Sequence, residues 1–311
     1  MEITTVLSAV SMMAIIILFG VIIGRTFSVT DDSKQLLVII IINVAVPSII
    51  LNGIFHIEIN DQLLSKMLTL FLISILFNAI GIGLGWISAV IFGFRTMKSR
   101  KLAILAGLGN TGFIGIPVCT SLFGPTGGLL AAIFDAGLDV IVFTLVTVLL
   151  NKEGKFSLRS LKAMINVPIM AILVGITIAV IGYEPPILAK NLAASLAGLA
   201  APLAMLYIGL LISEFFKEKK VLPVRFISIS LLMKLLVFPL IMIAVLQTIP
   251  LTNDLKLVAI VQVSMPTFML ATILFAQYGH DEETAVMTTV YSTMFSLLTI
   301  PLTAYMASLF L

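Results

Sequence analysis

Ten long apolar segments dominate this sequence and restrict the solvent in which it can fold. A helix that crosses a bilayer needs about 20 apolar residues. The segments of that length are 3–24, 34–54, 67–94, 102–123, 128–150, 161–182, 188–213, 222–248, 255–277 and 284–310. Charged residues make up 11% of the chain, against about 25% in a soluble domain. We therefore predict an all-α membrane protein with ten transmembrane helices, numbered here as spans 1 to 10.

Lysine and arginine residues are distributed unevenly between the spans. These residues are retained on the cytoplasmic side of a membrane. Fourteen fall on one side: Arg25, Lys34, Arg95, Lys98, Arg100, Lys101, Lys152, Lys155, Arg159, Lys162, Lys217, Lys219, Lys220 and Arg225. The other side carries Lys66, Lys190 and Lys256. We predict a multi-pass protein of the cell membrane with both termini outside the cytoplasm, and no nucleic-acid partner is needed to explain the net charge of +3.

The two halves of the chain can be aligned with an offset of 155 positions. The pairs are Lys101 and Lys256, Thr111 and Pro266, Phe113 and Phe268, Gly124 and Gly279 and, less closely, Pro47 and Pro202. We predict a first five-helix repeat at residues 1–150, a cytoplasmic connecting loop at 151–162 and a second five-helix repeat at 163–311. An odd number of spans inverts the second repeat, and inverted repeats are typical of secondary transporters.

Spans 4 and 9 each contain helix-breaking residues near the middle. Residues 107–117 read GLGNTGFIGIP, and residues 261–268 read VQVSMPTF. In a helix interior glycine costs about 1 kcal/mol and proline about 3 kcal/mol, so we predict a broken helix in both spans. A half-helix that begins inside the bilayer directs free N–H groups towards an anion. The substrate-binding candidates here are Asn110, Thr111, Gly112, Gln262, Ser264, Pro266 and Thr267.

A second interpretation of these glycines and prolines stays open. Glycine also permits close helix packing in membranes, and proline kinks are common there. We expect that packing role for Gly81, Gly83 and Gly85 in span 3.

Three charged residues, Asp135, Asp139 and Lys234, lie well inside the predicted spans, away from their ends. Such residues are costly in a bilayer and are usually functional. Asp135 and Asp139 in span 5 are four residues apart, hence on one helix face, and we predict that at least one carries a coupling proton. Lys234 in span 8 is predicted to neutralise an aspartate or to meet a substrate carboxylate. The alternative is a structural ion pair without a role in transport.

The residues around the two breaks resemble those of the auxin efflux carrier family. The resemblance rests on Asn110-Thr111, Gly115-Ile116-Pro117 and Phe123-Gly124 in span 4, on residues 259–262 with Pro266 in span 9, and on Ile300-Pro301-Leu302 in span 10. Plant members have a proline at the position of Gly109 and a long insert between the fifth and sixth spans. The short connection found here is similar to that of bacterial members, some of which are named malate or malonate permeases.

The resemblance implies a fold similar to that of the bile-acid/sodium symporters. Spans 1, 2, 6 and 7 would form a scaffold that also mediates a homodimer. Spans 3–5 and 8–10 would form a transport domain centred on the crossing of spans 4 and 9. Asn43 and Pro47 in span 2 would face the substrate from the scaffold. We therefore expect an elevator-like secondary transporter of a small organic anion, a carboxylate, coupled to H⁺ or Na⁺ or acting as a uniporter.

Other functions are compatible with parts of this sequence. An anion channel remains an alternative because broken helices also build selectivity filters, as does a Na⁺-coupled symporter. An intramembrane aspartyl protease would place its aspartates on two helices, whereas Asp135 and Asp139 share one. The GxGxxG pattern at 107–112 follows no strand, so it does not indicate a dinucleotide site. With a single cysteine, Cys119, and two histidines in separate segments, we predict no enzymatic activity, no cofactor and no metal site.

Overall fold

The protein is described by a computed structural model that covers residues 3–56, 60–151, 165–215 and 223–310. Within these ranges its secondary structure is helical and contains no β-strand, so the predicted all-α class is confirmed. The predicted connecting loop at 151–162 lies outside the described residues except for Asn151. The beginnings of predicted spans 6 and 8, at 161–164 and 222, also lie outside them.

Helical residues occur within each of the ten predicted spans. The helices are Ile3–Thr26, Asp31–Phe55, Asp61–Ile91, Thr96–Gly107, Thr111–Leu150, Val167–Val180, Ile187–Ala197, Ala200–Phe215, Val224–Thr248, Asn253–Val263, Leu270–Gln277 and Glu282–Phe310. Six helical stretches in the described part of the chain are long and apolar enough to cross a membrane: Asp31–Phe55, Asp61–Ile91, Thr111–Leu150, Ile187–Glu214, Val224–Thr248 and Glu282–Ala307. Shorter apolar helices are present at Ser11–Thr26 and Val167–Val180.

The longest of these stretches is interrupted by a glycine. Thr111–Leu150 contains 40 residues, which at 1.5 Å per residue would extend about 60 Å, twice the thickness of about 30 Å of a bilayer core. Gly124 has φ +69° and ψ −164°, outside the helical region, and Pro125 follows it. The interruption lies between predicted spans 4 and 5.

Three π turns precede prolines, and each carries predicted site residues. Ile41–Ala45 precedes Pro47, Thr111–Gly115 precedes Pro117, and Met233–Val237 precedes Pro239. Proline lacks an N–H group, and its ring collides with the carbonyl four residues earlier. The wider turn relieves that collision. Asn43, Thr111, Gly112 and Lys234 therefore lie on locally widened helix.

The chain divides into two compact units, which are described separately. The first unit comprises Met1–Phe71, Thr111–Ala136 and Ile165–Glu218. Its helices Ile3–Thr26 and Ala200–Phe215 touch through backbone atoms, because a Cβ added to Gly20 would lie 2.3 Å from the carbonyl oxygen of Leu206. A Cβ on Gly209 would lie 2.2 Å from that of Ile17. Small residues thus permit close packing of these two helices.

The second unit comprises Leu72–Asn110, Gly137–Met164 and Lys219–Leu311. Its short helix Thr96–Gly107 packs directly on Asp61–Ile91. A Cβ on Gly81 would lie 2.5 Å from the carbonyl oxygen of Gly107, and one on Gly85 would lie 2.8 Å from Cα of Ala103. A Cβ on Gly83 would meet no atom within 4 Å. The packing role expected of the three span-3 glycines therefore holds for two of them.

Candidate functional site

The helix of predicted span 4 is interrupted at residues 108–110, here called the first break. Thr96–Gly107 ends at Leu108, which has the extended angles φ −108° and ψ 139°. Gly107 and Gly109 border this residue on both sides, and glycine disfavours helix relative to other residues. Helical structure resumes at Thr111 as a π turn.

The helix of predicted span 9 is interrupted at residues 264–269, here called the second break. Asn253–Val263 ends at Ser264, whose hydroxyl donates a 2.7 Å hydrogen bond to the carbonyl oxygen of Ile260. Pro266 has no N–H group to continue the helix. Helical structure resumes at Leu270.

The two breaks pair with each other through their backbones. The N–H of Asn110 donates to the carbonyl oxygen of Pro266 at 2.7 Å, and the N–H of Phe268 donates to that of Leu108 at 3.3 Å. Gly109 and Thr267 thus form an isolated antiparallel bridge. Unpaired backbone groups cost several kcal/mol in a bilayer, so each break supplies the partner that the other requires.

Thr267 joins the second break to two other helices, through its hydroxyl group and through its backbone N–H. Its hydroxyl donates to the carbonyl oxygen of Leu105, near the end of Thr96–Gly107, at 2.9 Å. Its N–H donates to the hydroxyl of Ser292 at 3.0 Å, and Ser292 in turn donates to the carbonyl oxygen of Thr289 at 2.9 Å. Thr267 and Ser292 are both fully buried.

Ser292 was not among the residues predicted from the sequence, although the chain carried a signal for it. Threonine or serine recurs every fourth residue along Glu282–Phe310, at Thr284, Thr288, Ser292 and Ser296, and all four are buried. Residues four apart share one helix face. A polar stripe of this kind in an apolar helix indicates a face directed at other polar groups.

Lys234 lies on the helix Val224–Thr248, and its side chain reaches the end of the half-helix Asn253–Val263, which precedes the second break. Only 1% of the residue is exposed. Its Nζ donates a 3.1 Å hydrogen bond to the carbonyl oxygen of Val263 and lies 5.0 Å from the centroid of the Phe238 ring. A Cβ added to Gly109 would lie 3.0 Å from Nζ. The amine therefore contacts the last helical residue before the second break and lies against the first break.

The predicted residues of the first unit form a separate group. The hydroxyl of Thr111 donates to Oδ1 of Asp135 at 2.5 Å, and a Cβ added to Gly112 would lie 2.6 Å from Oδ2 of that carboxyl group. Asn43 is exposed and donates to the carbonyl oxygen of Ile39 at 3.1 Å. Pro47 is buried.

The structure thus divides the predicted site residues between the units. The second unit contains Asn110, Asp139, Lys234, Gln262, Ser264, Pro266 and Thr267, and the first contains Asn43, Pro47, Thr111, Gly112 and Asp135. Asp135 and Asp139, predicted to share a helix face, fall on opposite sides of the boundary between Ala136 and Gly137. Both aspartates are partly buried.

Comparison with known protein families identifies the family of this chain. The profile of a family described as a membrane transport protein matches residues 5–304. The chain belongs to the membrane transport protein family. The match extends over nearly the whole chain and confirms the family predicted from the residues of spans 4, 9 and 10. As a member of the membrane transport protein family with six long apolar stretches in its described part, the chain is a multi-pass membrane transporter.

Two relatives of this chain are also named as transporters. An uncharacterized transporter of Methanothermobacter thermautotrophicus is 26% identical over 289 residues, which cover 93% of this chain and 94% of the relative. Uncharacterized transporter MJ1031 of Methanocaldococcus jannaschii is 28% identical over 278 residues, which cover 88% of this chain and 89% of the relative. The similarity therefore extends over most of each protein, including both breaks.

Proposed function

We propose that this protein is a secondary transporter that moves a small organic anion, a carboxylate, by alternating access, with its substrate site at the two breaks. The pairing of Gly109 with Thr267 is the observation that supports this most strongly. Non-helical backbone at membrane depth is tolerated only where protein buries it or where it lines a cavity. Discontinuous helices that meet in this way form the substrate and ion sites of secondary transporters.

An anion is the favoured substrate because positive and donor groups surround the breaks. The helices that begin at Thr111 and Leu270, directly after the breaks, each begin with the positive end of a helix dipole. Lys234 adds an amine beside the second break. We assign substrate contacts to Asn110, Gln262, Ser264, Pro266 and Thr267, whereas Thr111 and Gly112, in the first unit, remain predictions from the sequence. Asn43 and Pro47 remain predictions from the family resemblance.

Two buried hydroxyl groups in the second unit also support a polar occupant. The side-chain oxygens of Ser230 and Thr289 have no hydrogen-bond partner among the described residues. A buried hydroxyl without a partner costs about 1–3 kcal/mol. Ser230 lies one turn before Lys234, and Thr289 supplies the carbonyl that accepts from Ser292. Each hydroxyl is therefore available to a polar occupant of the second unit.

We further propose ten membrane crossings in two inverted repeats. The 155-residue offset carries Thr96–Gly107 onto 251–262, within two residues of the observed Asn253–Val263. It also carries Gly124 onto Gly279, and both glycines have positive φ, at +69° and +63°. Matching helix ends and matching turns support a repeat whose sequence has largely diverged.

The proposed orientation places the basic segments in the cytoplasm and both termini outside the cell membrane. In the first unit Lys34, after span 1, pairs with Glu214 at the end of span 7 at 2.6 Å. In the second unit Arg100 donates to the carbonyl oxygen of Leu149 at 3.3 Å, and Arg225 donates to that of Phe92 at 2.7 Å. Each contact joins two segments that the charge distribution assigns to the same side of the membrane.

Coupling and assembly complete the proposal. Asp135 and Asp139 are the proposed proton carriers, because ionisable groups inside a membrane usually mark a coupling pathway. An elevator-like movement of spans 3–5 and 8–10 would carry the substrate across. The scaffold would consist of spans 1, 2, 6 and 7, which would also form the homodimer interface.

Uptake into proteoliposomes tests this function. Radiolabelled malate and malonate are offered with an imposed pH gradient and, separately, an imposed Na⁺ gradient, with Asn110→Ala as the matched variant. Saturable uptake that follows one gradient and is lost in Asn110→Ala would support a coupled carrier. Uptake that rises linearly with the anion concentration and does not depend on either gradient would contradict a coupled carrier and favour an anion channel.

A further inference from the structure

Lys234 occupies a position at which secondary transporters hold a dissociable cation. The negative end of a helix dipole lies at the helix C-terminus, and the C-terminal ends of half-helices coordinate coupling ions in broken-helix transporters. Val263 is the last residue of the half-helix Asn253–Val263. Its carbonyl oxygen accepts a 3.1 Å hydrogen bond from Nζ of Lys234.

We propose that the Lys234 ammonium is a built-in cation that replaces Na⁺ at the two breaks, so that transport is independent of Na⁺. This inference rests on the proposed function and adds to it the choice of coupling ion. The described contacts of Nζ are a carbonyl oxygen and the Phe238 ring, as expected for a cation held by a helix end and an aromatic face.

Gly109 makes room for the amine at the first break. A Cβ at this position would lie 3.0 Å from Nζ and 3.4 Å from Cε of Lys234, and 3.4 Å from the carbonyl oxygen of Gln262. The atom nearest to such a Cβ is Nζ, at the flexible end of the Lys234 side chain. A side chain at position 109 therefore displaces the amine more readily than it displaces the backbone. The missing side chain of Gly109 therefore lets one ammonium contact Val263, directly before the second break, while it lies against the first break.

A sodium ion at the same carbonyl would be repelled by this ammonium. Repulsion between two like unit charges about 4 Å apart in a partly polar protein environment would weaken the binding of Na⁺ by about a thousandfold. Unlike a bound ion, the amine is covalently attached and cannot leave with the substrate. The amine therefore stays at the breaks through the whole transport cycle.

The test combines a binding measurement with a transport measurement. Thermal unfolding of the purified protein is compared in NaCl and in choline chloride at equal ionic strength, and labelled anion uptake is measured in the same two salts. We expect equal unfolding midpoints and equal uptake rates for the wild type. We expect Lys234→Met, which keeps the length of the side chain but not its charge, to lose at least tenfold in uptake.

The inference would be overturned if the unfolding midpoint of the wild type were higher in NaCl than in choline chloride. It would also be overturned if Lys234→Met took up the anion at the wild-type rate. Because Lys234→Met could fail to fold, Gly109→Ala provides a second route, with Gly83→Ala as the control for adding a methyl group to open space in the same unit. We expect Gly109→Ala to lose at least tenfold in uptake relative to Gly83→Ala, and equal rates would overturn the inference.

The two proposals fail in distinguishable ways. The unfolding comparison requires no transport, so a Na⁺-dependent midpoint overturns the built-in cation alone. Absence of anion uptake by the wild type under every gradient overturns the proposed function, and with it the premise on which the role of Lys234 depends.

Discussion

The hydroxyl of Thr111 donates a 2.5 Å hydrogen bond to Oδ1 of Asp135. Thr111 is the first residue after the first break and is almost fully buried. The next residue, Gly112, has no side chain, and a Cβ there would lie 2.6 Å from Oδ2 of the same carboxyl group. An aspartate proposed to carry a proton is thus held directly at the start of the helix that follows a break.

Replacing Thr111 with valine should reduce substrate uptake about 10- to 100-fold. Valine has nearly the same shape but cannot donate, and a hydrogen bond to a charged group contributes about 1.5–3 kcal/mol. Thr111→Ser keeps the hydroxyl and should stay within about threefold of the wild type. Initial uptake rates at matched protein density measure the difference, and equal rates for the two variants would show that the hydrogen bond has no role in transport.

Replacing Asp135 with asparagine should abolish uptake driven by a pH gradient. Asparagine keeps the size of the side chain and can still accept from Thr111, but it cannot bind and release a proton. Asp32→Asn, an exposed substitution near the start of Asp31–Phe55, is the control for losing one carboxylate. Gradient-driven uptake that survives in Asp135→Asn would remove this residue from the coupling mechanism.

Gly81→Ala should destabilise the protein, whereas Gly83→Ala should not. The added methyl at 81 would lie 2.5 Å from the carbonyl oxygen of Gly107 and 2.9 Å from Cζ of Phe238, while that at 83 meets no atom within 4 Å. Overpacking of this kind costs about 1–3 kcal/mol, and alanine is favoured over glycine in an open helix position. Thermal unfolding in detergent measures both variants, and equal midpoints would contradict the close packing of Thr96–Gly107 on Asp61–Ile91.

The contribution of Asp281 to stability should disappear in acid. Burial alone would raise the pKa of Asp281, but hydrogen bonds from the hydroxyl and N–H of Thr284 and the charges of Lys101 and Lys98 hold it below its usual 3.8. A lowered folded-state pKa stabilises the protein above the unfolded value, and this contribution is lost as the pH falls through the folded value.

Asp281→Asn separates that charge from the helix cap, because asparagine can still accept from the N–H of Thr284. We expect the variant to unfold at a slightly lower temperature than the wild type at pH 7, and at the same temperature once the pH is below the folded-state pKa of Asp281. A difference that is constant with pH would show that the charge of Asp281 does not stabilise the protein.

The positions of the breaks could be predicted from the sequence because their causes are local. Gly107, Gly109 and Pro266 disfavour helix whatever surrounds them, and the structure interrupts both helices next to these residues. The matching of Gly124 with Gly279 was also visible, since a positive φ selects glycine at both positions.

The partners of the breaks could not be predicted in the same way. The backbone bridge between Gly109 and Thr267 joins residues more than 150 positions apart through N–H and C=O groups that every residue carries. The sequence left the partner of Lys234 open between an aspartate and a substrate, because a helix-end carbonyl such as that of Val263 has no side-chain signature.

The most direct test of transport at the paired breaks is a counterflow assay. Proteoliposomes are loaded with unlabelled malate or malonate and diluted into a trace of the labelled anion without any ion gradient. Alternating access predicts that the label transiently accumulates above its equilibrium level, and that Asn110→Ala abolishes this overshoot. Rapid equilibration of the label without an overshoot would contradict a carrier, and an undiminished overshoot in Asn110→Ala would contradict a site at the first break.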